Sequence, residues 1–576
     1  MYLTYDIKGI QQFIFSVPRL KCIIGASSQV ARFDHETVAQ IANRDGCGHV
    51  FSGGGRGAIR CQSRDLADDI KRELVQAAHQ LGLDIRIGID RQFTVAALHA
   101  DELYPFLPVP QDMEGLPCAE SGLWPVPGSD GTKVHPLIEQ RIAAGKPGKD
   151  ALLNYLFGSD LIGSRTPTAI KEAGTIEFLR NVNPEEVRGT LDEKAIDQWR
   201  ATAGQNALGR RNRWAVIAMD VNDMGQQFDA LEQQAGDEET YVSRLGIVSK
   251  SIKEITHQAF ANALVSAMQQ WLNDVKPNLQ DCCYEEEPGC KYVFLPFRPL
   301  VLGGDDVVFL CHSELAMHFV HTMAREFTEL SVRKAKEIQE DRQHGGFNPW
   351  PATGGKLSIS AGVLFTKVTL PLHTAVAYAE SLLDNAKNEF REPVETGLPT
   401  PSAVDWETIT DTMVDTPAAR RNREMRFVDE EINAAVHLTR RPYLLDVEPS
   451  EKDNGKKVRS LQSLEKRVAQ LGAFPASFRS ELKHACGKEW SERTRFCISM
   501  GKGGKRYRAL SESLAEPADG VAASKGNAWF VPMEEDESGV LKPQMDGGKQ
   551  LQTTDVVDAI SLLEEQHRMM QETAQR

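Results

Sequence analysis

The chain has 576 residues, a formal net charge of -15 and 41% hydrophobic residues. That acidic balance excludes an exposed, non-specific nucleic-acid binder, though not a local basic groove, and the length supports several cores in about three or more domains. No run is apolar for long enough to cross a bilayer, the N-terminus lacks a signal-peptide pattern, and the ten cysteines lack the spacing of a disulfide framework; a reducing cytoplasm and no membrane partner are therefore expected.

Met1–Asp6 starts a strand at once and ends on an acid. A helical region follows over Lys8–Val17, with Ile10, Phe13 and Ile14 on one face, and a second helix is predicted over Ala26–Asn43. His49–Ser52 and Ala58–Cys61 read as short strands around Gly53, Gly54, Gly55, Arg56 and Gly57. An amphipathic helix over Arg64–Leu81 carries Leu66, Ile70, Leu74 and Ala77 at helical spacing, and Asp84–Ile89 and Phe93–Ala97 return to strand. The order is β-α-β-β-α-β, the ferredoxin-like plan. Dense prolines and glycines from Tyr104 to Pro136 mark a connector, and Leu137–Arg211 is mixed and mostly helical.

The plan then recurs. Trp214–Met219 is a strand ending on Asp220, a long helix is predicted over Tyr241–Leu272, and Leu300–Leu302 with Val307–Leu310 make a hairpin. Glu314–Glu340 reads as helix and Leu357–Phe365 as strand. Both copies place an acid after strand one and a glycine-rich turn between strands two and three. Cys282, Cys283 and Cys290 fall in an intervening polar loop; a structural zinc usually takes four ligands, so reduced thiols on an insertion are weighed against a zinc site. Thr374–Asn388 adds a helix bearing Lys387, Ser402–Ile409 one more strand, and Arg420, Arg421, Arg423 and Arg426 a basic helical segment. From Pro449 the chain is polar and mostly helical, with a Gly- and Lys-rich stretch at Gly501–Arg508, a loop at Glu516–Gly539 and a solvated terminal helix after Gln550.

Gly303, Gly304, Asp305 and Asp306 form the tip of the second hairpin. Glycine permits the positive φ of a tight connection, but two adjacent carboxylates repel each other there. A divalent cation would offset the repulsion, and hard carboxylate oxygens suit Mg²⁺ or Mn²⁺. In a ferredoxin-like sheet strand one neighbours this hairpin, so Asp220 is expected beside Asp305 and Asp306, with the Val221 carbonyl as a further ligand. Three acids suit two ions at a nucleoside triphosphate, which Lys387 could reach as a point charge. Helix capping is the plain alternative for Asp220, and a solvated helix end that for Lys387. The first copy has no carboxylate at its tip; Asp6 stands alone and catalytic silence is expected. Its glycines could let the backbone approach a second nucleotide between the copies.

These motifs resemble a known family, the large palm-domain polymerase/cyclase subunit of type III CRISPR effector complexes. DIKGIQQFIF (Asp6–Phe15), Gly25-Ala26-Ser27 and SGGGRG are similar to its first palm, while DVNDMG (Asp220–Gly225), GGDD and Ser360–Lys387 are similar to its catalytic second palm. The resemblance implies a synthase that joins ATP through 3′–5′ linkages into cyclic oligoadenylates, releasing pyrophosphate, for antiviral defence. It implies Asp220, Asp305 and Asp306 as metal ligands, Gly303 and Gly304 as turn-shaping, Lys387 as a triphosphate contact and Ser27 as a nucleotide contact in the first palm. Three departures stand out. Asn222 occupies a position where a second acid is common and could still coordinate through its carbonyl. The first palm starts at residue 1, so no histidine–aspartate nuclease domain is expected, and the paired-cysteine zinc module is not evident.

The expected fold class is α+β, with two ferredoxin-like palms at 1–130 and 212–447, a mostly helical linker at 131–211 and a helical region at 448–576. Expected partners are ATP, other CRISPR effector subunits and guide or target RNA. One alternative is a non-catalytic subunit that binds RNA through Arg420–Arg426, Arg440, Arg441 and Gly501–Arg508. Another is a GGDEF-like cyclic dinucleotide synthase using GTP, against which the tandem palms argue.

Overall fold

The structure, a computed structural model, describes residues 1–17, 20–93, 102–106, 135–145, 151–158, 161–178, 213–275, 283–287, 290–341, 346–367, 370–391, 399–409, 415–431, 433–445, 459–502, 507, 510, 533–535, 541–543, 545–546 and 549–566. The expected residues 94–97 of a strand, most of the connector, and most of Gly501–Arg508 and Glu516–Gly539 lie outside them.

In the first palm, β1 (Tyr2–Lys8) is followed by the short α1 (Ile10–Ile14), then α2 (Leu20–Arg32) and α3 (Val38–Ala42). The single helix expected over Ala26–Asn43 is interrupted by a π-helical turn, Phe33–Thr37. The turn has a local cause, because it carries Asp34, whose carboxylate accepts from Tyr5 Oη at 2.9 Å and Gly55 N at 2.7 Å. Strands β2 (Cys47–Gly53) and β3 (Arg56–Cys61) meet at Gly54 and Gly55, with φ of 62° and 79°. Two successive left-handed residues make the hairpin turn that matches strand twist, and glycine enters that region without a Cβ penalty. Helix α4 (Arg64–Leu81) has the expected bounds, since Ser63 caps it through Leu66 N at 3.2 Å and Gly82, at φ 77°, closes it. With β4 (Asp84–Asp90) and β5 (Glu102–Tyr104) the sheet order is β2-β3-β1-β4-β5, the ferredoxin-like arrangement with one added edge strand.

The linker contributes α5 (Pro136–Ala144), α6 (Ala151–Gly158), α7 (Thr168–Ala173) and β6 (Thr175–Phe178). The second palm starts with β7 (Arg213–Val221), then α8 (Met224–Ala235) and the long α9 (Glu238–Val275). The expected cysteine loop is instead a hairpin, β8 (Cys283–Glu287) and β9 (Cys290–Leu295), which joins β6 in a three-stranded sheet. Cys283 stands opposite Val293 and Cys290 opposite Glu287, at the two ends of that ladder, while Cys282 lies outside the described residues. The main sheet follows with β10 (Phe297–Leu302), β11 (Asp306–His312), α10 (Ser313–Glu340), β12 (Ile359–Lys367), α11 (Leu372–Phe390) and β13 (Ala403–Ile409). With Tyr443–Leu444 at its edge as a short strand, its order is β10-β11-β7-β12-β13 and that edge strand, again ferredoxin-like at the core.

Side-chain alternation along β7 and β11 divides the packing between the two faces of this sheet. Ala215, Ile217, Met219, Val307 and Phe309 join α9 and α10 in one core, while Val216, Ala218, Val308 and Leu310 share a second core with α11 and most of the first palm's buried side chains. The first palm is thereby seated on the second palm's sheet. Gly25 on α2 lets α5 of the linker pack closely against the first palm, because a Cβ there would stand 1.8 Å from the Arg141 carbonyl.

The C-terminal region is not all helical. Helices α12 (Pro417–Glu424), α13 (Leu461–Gly472), α14 (Ala476–Cys486) and α15 (Trp490–Gly501) are accompanied by a sheet in which Ala434–His437 pairs in parallel with Lys549–Thr553. This pairing runs across the division expected near residue 447. The terminal helix, α16 (Val556–Gln566), is not solvated as expected: Val556, Ala559, Ile560, Leu562 and Leu563 are buried in the core against α13 and α14.

The basic segment also differs from expectation. Arg421 is buried and forks onto Asp405 at 2.7 and 2.9 Å, with Glu407 at 3.2 Å. Arg441, equally buried, reaches Glu407 at 3.4 Å and Asp558 at 3.1 Å. Arg420 pairs with Glu424, and Arg423 with Asp415. Arg421 and Arg441 are thus committed to internal carboxylates, neither solvated nor available to RNA. Burying such a cation requires paired, hydrogen-bonded acids around it.

Candidate active site

Three segments build the site. Strand β7 carries Asp220 in direct register with Asp306 at the start of β11, and Ser360 of β12 stands on its other side. Asp305 precedes Asp306 at the tip, which Gly303 N closes onto the Asp306 carbonyl at 2.8 Å. Neither Gly303 nor Gly304 has the positive φ expected of a tight turn; the glycines at positive φ are elsewhere, at Gly54 and Gly55 among others. Gly304 instead has open space where a side chain would be. Glycine here leaves room above the carboxylates rather than permitting the turn.

Helix α11 supplies the cation. Lys387 Nζ is ion-paired with Asp220 and donates to the Val221 carbonyl at 3.1 Å. The two oxygens that a divalent cation would use therefore already converge on a positive charge. Burial raises the Asp220 pKa and the nearby lysine opposes that shift. Asp306 is open to water but ringed by protein; desolvation, with Asp305 and Asp220 beside it, pushes its pKa up to about 8.

Among the described residues no group of three histidine, cysteine, aspartate or glutamate side chains is placed to hold a metal ion by itself. Two facing carboxylates, a third beside them and the Val221 carbonyl, which accepts from Lys387, make an all-oxygen set. That chemistry fits Mg²⁺ or Mn²⁺, which are commonly held by one or two carboxylates together with substrate phosphates. The neighbouring polar residues do different work. Asn222 is buried, its amide nitrogen donating to Ser358 and Ser360 at 2.8 and 3.0 Å, so it staples β12, while its Oδ1 is buried without a hydrogen-bond partner. Asp223, in the left-handed region at φ 61°, accepts from Thr400 N and Oγ1 at 2.9 and 2.8 Å.

Residues 213–394 match the family model described as Cas10/Cmr2, second palm domain. This segment is a Cas10/Cmr2 second palm. No curated protein shows significant sequence similarity to the chain. Among solved structures, a Csm1–Csm4 cassette in complex with cA4 is similar at 16% identity and a TM-score of 0.33, over 67% of this chain and 52% of that one. An apo Csm1–Csm4 cassette gives 16% and 0.34 over 68% and 53%, and a cassette in complex with cA3 gives 14% and 0.43 over 98% and 69%. The chain spans about half the length of the first two chains it matches. Among its described residues, no helix is long and apolar enough to cross a membrane.

Sequence reasoning missed the supports of the Cas10/Cmr2 palm's acidic tip. Thr256 of α9 is fully buried and donates to the Gly304 carbonyl at 2.5 Å. A threonine among the apolar positions Ile252, Ile255 and Ala259 was the available signal. Thr256→Val keeps the shape and removes that bond, so a loss of about 1 kcal/mol in tip positioning is expected. A several-fold fall in product formation under the proposed activity, larger than the accompanying drop in melting temperature accounts for, would show it.

Ser27 is half-buried on α2, the helix of the first palm that packs against β10 of the Cas10/Cmr2 palm. Asp6, the first palm's single acid, is buried and held by Lys8 and by Arg56 Nε at 3.2 Å.

The raised Asp306 pKa has a defined consequence for the metal-free protein. A carboxyl whose folded pKa lies above its unfolded value of 3.8 contributes stability that is fully present below that value and lost as pH rises through about 8. In chelator, the melting temperature is expected to fall as pH rises from about 4 to about 8 and to level off above that, with a shallower fall in Asp306→Asn. Adding Mg²⁺ is expected to restore it most at the alkaline end. A metal-independent, flat profile would contradict the charge crowding at this tip.

Proposed function

We propose that the second palm is a nucleotidyltransferase that joins ATP into cyclic oligoadenylate second messengers in antiviral defence. The observation that carries this reading is the register of Asp220 against Asp306, with Asp305 and Lys387 beside them, inside a segment matching the Cas10/Cmr2 palm. In the reaction the 3′-hydroxyl oxygen of one nucleotide attacks the α-phosphorus of another, the bond to pyrophosphate breaks and the hydroxyl proton passes to water. Asp220, Asp305, Asp306 and the Val221 carbonyl hold the divalent cations, Mg²⁺ or Mn²⁺. When bound, these ions neutralise the departing pyrophosphate and acidify the attacking hydroxyl. Gly303 shapes the tip, Gly304 leaves space for the nucleotide, and Lys387 moves its charge from Asp220 to the triphosphate. Ser27 contacts a nucleotide from the first palm. Assembly with other CRISPR effector subunits and RNA belongs to the same reading.

The test is incubation of the purified chain with each of the four nucleoside triphosphates, in Mg²⁺ or Mn²⁺, with and without RNA, and identification of products by mass. Oligoadenylates formed from ATP are expected. Product from GTP alone, or none under any condition, would overturn the assignment.

A further inference from the structure

The open end of the first palm's hairpin holds two cysteines that the proposed synthesis does not use. Cys47 begins β2 and Cys61 ends β3, and they stand directly opposite each other in the antiparallel register. Neither donates across to the other. Cys47 N donates to the Arg44 carbonyl at 3.0 Å and Cys61 N to the Met1 carbonyl at 2.8 Å, while Gln62 N reaches the Gly46 carbonyl at 2.9 Å just outside the pair. That pattern makes Cys47 and Cys61 a non-hydrogen-bonded pair, in which Cα atoms lie about 4.5 Å apart and side chains are closer than at the alternate rungs. A disulfide spans Cα separations of about 4.4–6.8 Å, so this rung admits one with little movement of the strands. Among the described residues no other two cysteines face each other across a ladder: Cys283 and Cys290 stand opposite Val293 and Glu287, and Cys311 opposite Phe297 and Ala215. The two thiols also differ in access. Cys61 is buried, and that burial, with the Cys47 thiol beside it, raises its pKa to about 11. Cys47 is only half-buried and is the one a dissolved reagent reaches first. Packing alone explains a cysteine at the buried position, but it does not call for a second thiol at the half-exposed position opposite.

We infer that Cys47 and Cys61 are a redox modification site, a dithiol that a low-molecular-weight disulfide converts into a reversible cross-strand bond. Cys47, as thiolate, attacks one sulfur of the external disulfide and expels its first thiolate. Cys61 gives up its proton, attacks Cys47 Sγ in the mixed disulfide and expels the second. The two protein thiols are oxidised to one S–S bond, the external disulfide is reduced to two thiols, and the two protein protons end on them. Both cysteines are free thiols in the structure, the resting form in a reducing compartment. A bond at the tight end of the Cα range is readily reduced, so the pair reverts once the oxidant is gone. While closed, it staples β2 to β3 at the end of the hairpin opposite the Gly54 tip.

The experiment exposes the folded full chain, in EDTA so that no metal occupies the thiols, to glutathione buffers of increasing oxidised-to-reduced ratio. Acid quenching, alkylation and peptide mapping by mass then read each cysteine. A bond between Cys47 and Cys61 is expected, lost again in excess reduced glutathione, while buried Cys22, Cys311 and Cys486 remain thiols. Cys61→Ala should stop at a glutathione adduct on Cys47, and Cys47→Ala should leave Cys61 unmodified. Amide exchange across Gly48–Arg60 should slow several-fold in the oxidised wild type and in neither variant. Should a variant fail to fold, the wild type still decides, because the bonded peptide pair and its reversal need no substitution. Both thiols surviving in the most oxidising buffer, Cys47 joining a different cysteine, a Cys47 adduct that never resolves, or hairpin exchange unchanged by oxidation would each overturn the site.

Discussion

Replacing Asp305 and Asp306 together by alanine is expected to reduce product formation roughly 10³-fold or more, the scale of removing a preorganised electrostatic stabiliser from a reaction centre. The folded state should not suffer. The two carboxyls are crowded against Asp220, and desolvation with mutual repulsion keeps Asp306 protonated up to about pH 8. Removing them relieves that repulsion, so the metal-free melting temperature at pH 8 should be unchanged or higher. Lys387 keeps Asp220 as its partner in the variant. Loss of activity together with a maintained melting temperature therefore assigns the effect to chemistry rather than to unfolding. Product that persists in the double variant would exclude this tip as the reaction centre.

The second large effect is expected at a residue with no chemistry of its own. Gly362 lies in β12, where a Cβ would stand 2.0 Å from the Ala379 carbonyl and 2.4 Å from Leu383 N. Both are backbone atoms of α11, so no side chain can rotate away and the helix itself must shift. Gly362→Ala is expected to cost about 1–3 kcal/mol through overpacking, measurable by denaturant unfolding. The same shift draws Lys387, two turns along the helix from Ala379, away from Asp220 and the Val221 carbonyl. A displacement of about 1 Å at a reacting group can cost on the order of 10²-fold in rate. The variant should lose more activity than its fraction folded accounts for. Activity proportional to folded protein would show that helix placement does not govern the site.

Much of the fold was legible because two periodicities and one asymmetry recur. Strand one, the glycine-centred hairpin and the acid after strand one appear twice, and register then followed from the ferredoxin-like plan. Helix Arg64–Leu81 was readable to its ends because Ser63 and Gly82 are local signals. Asp220 and Asp306 were legible for the same reason, since adjacent acids at a hairpin tip lack a structural motive. What could not be read depends on distant partners. The π turn at Asp34 is set by Tyr5 and Gly55, 29 and 21 residues away. Arg421 and Arg441 looked like a solvated basic stretch because Asp405, Glu407 and Asp558 are scattered along the chain. The apolar side of Val556–Gln566 gives no sign, in sequence, of what covers it. Glycine was the subtlest case: Gly304 was read for its backbone freedom, whereas its contribution is the volume it does not fill.

The buried tie between Asp558 and the loop of Thr439, Arg441 and Tyr443 also bears on how the protein is made. Asp558 accepts from Thr439 Oγ1 at 2.7 Å and Tyr443 Oη at 3.0 Å, and 115 residues separate Tyr443 from it. At a translation rate of about 5–20 residues per second, the second palm's outer flank waits roughly 6–23 s on the ribosome for its missing counter-charge. During that interval Arg441 keeps Glu407 alone of its two carboxylate partners among the described residues, and the strand at Ala434–His437 presents an unpaired edge. Synthesis thus orders the molecule's assembly: the first palm can collapse early, but the second is sealed only after Asp558 has left the ribosome.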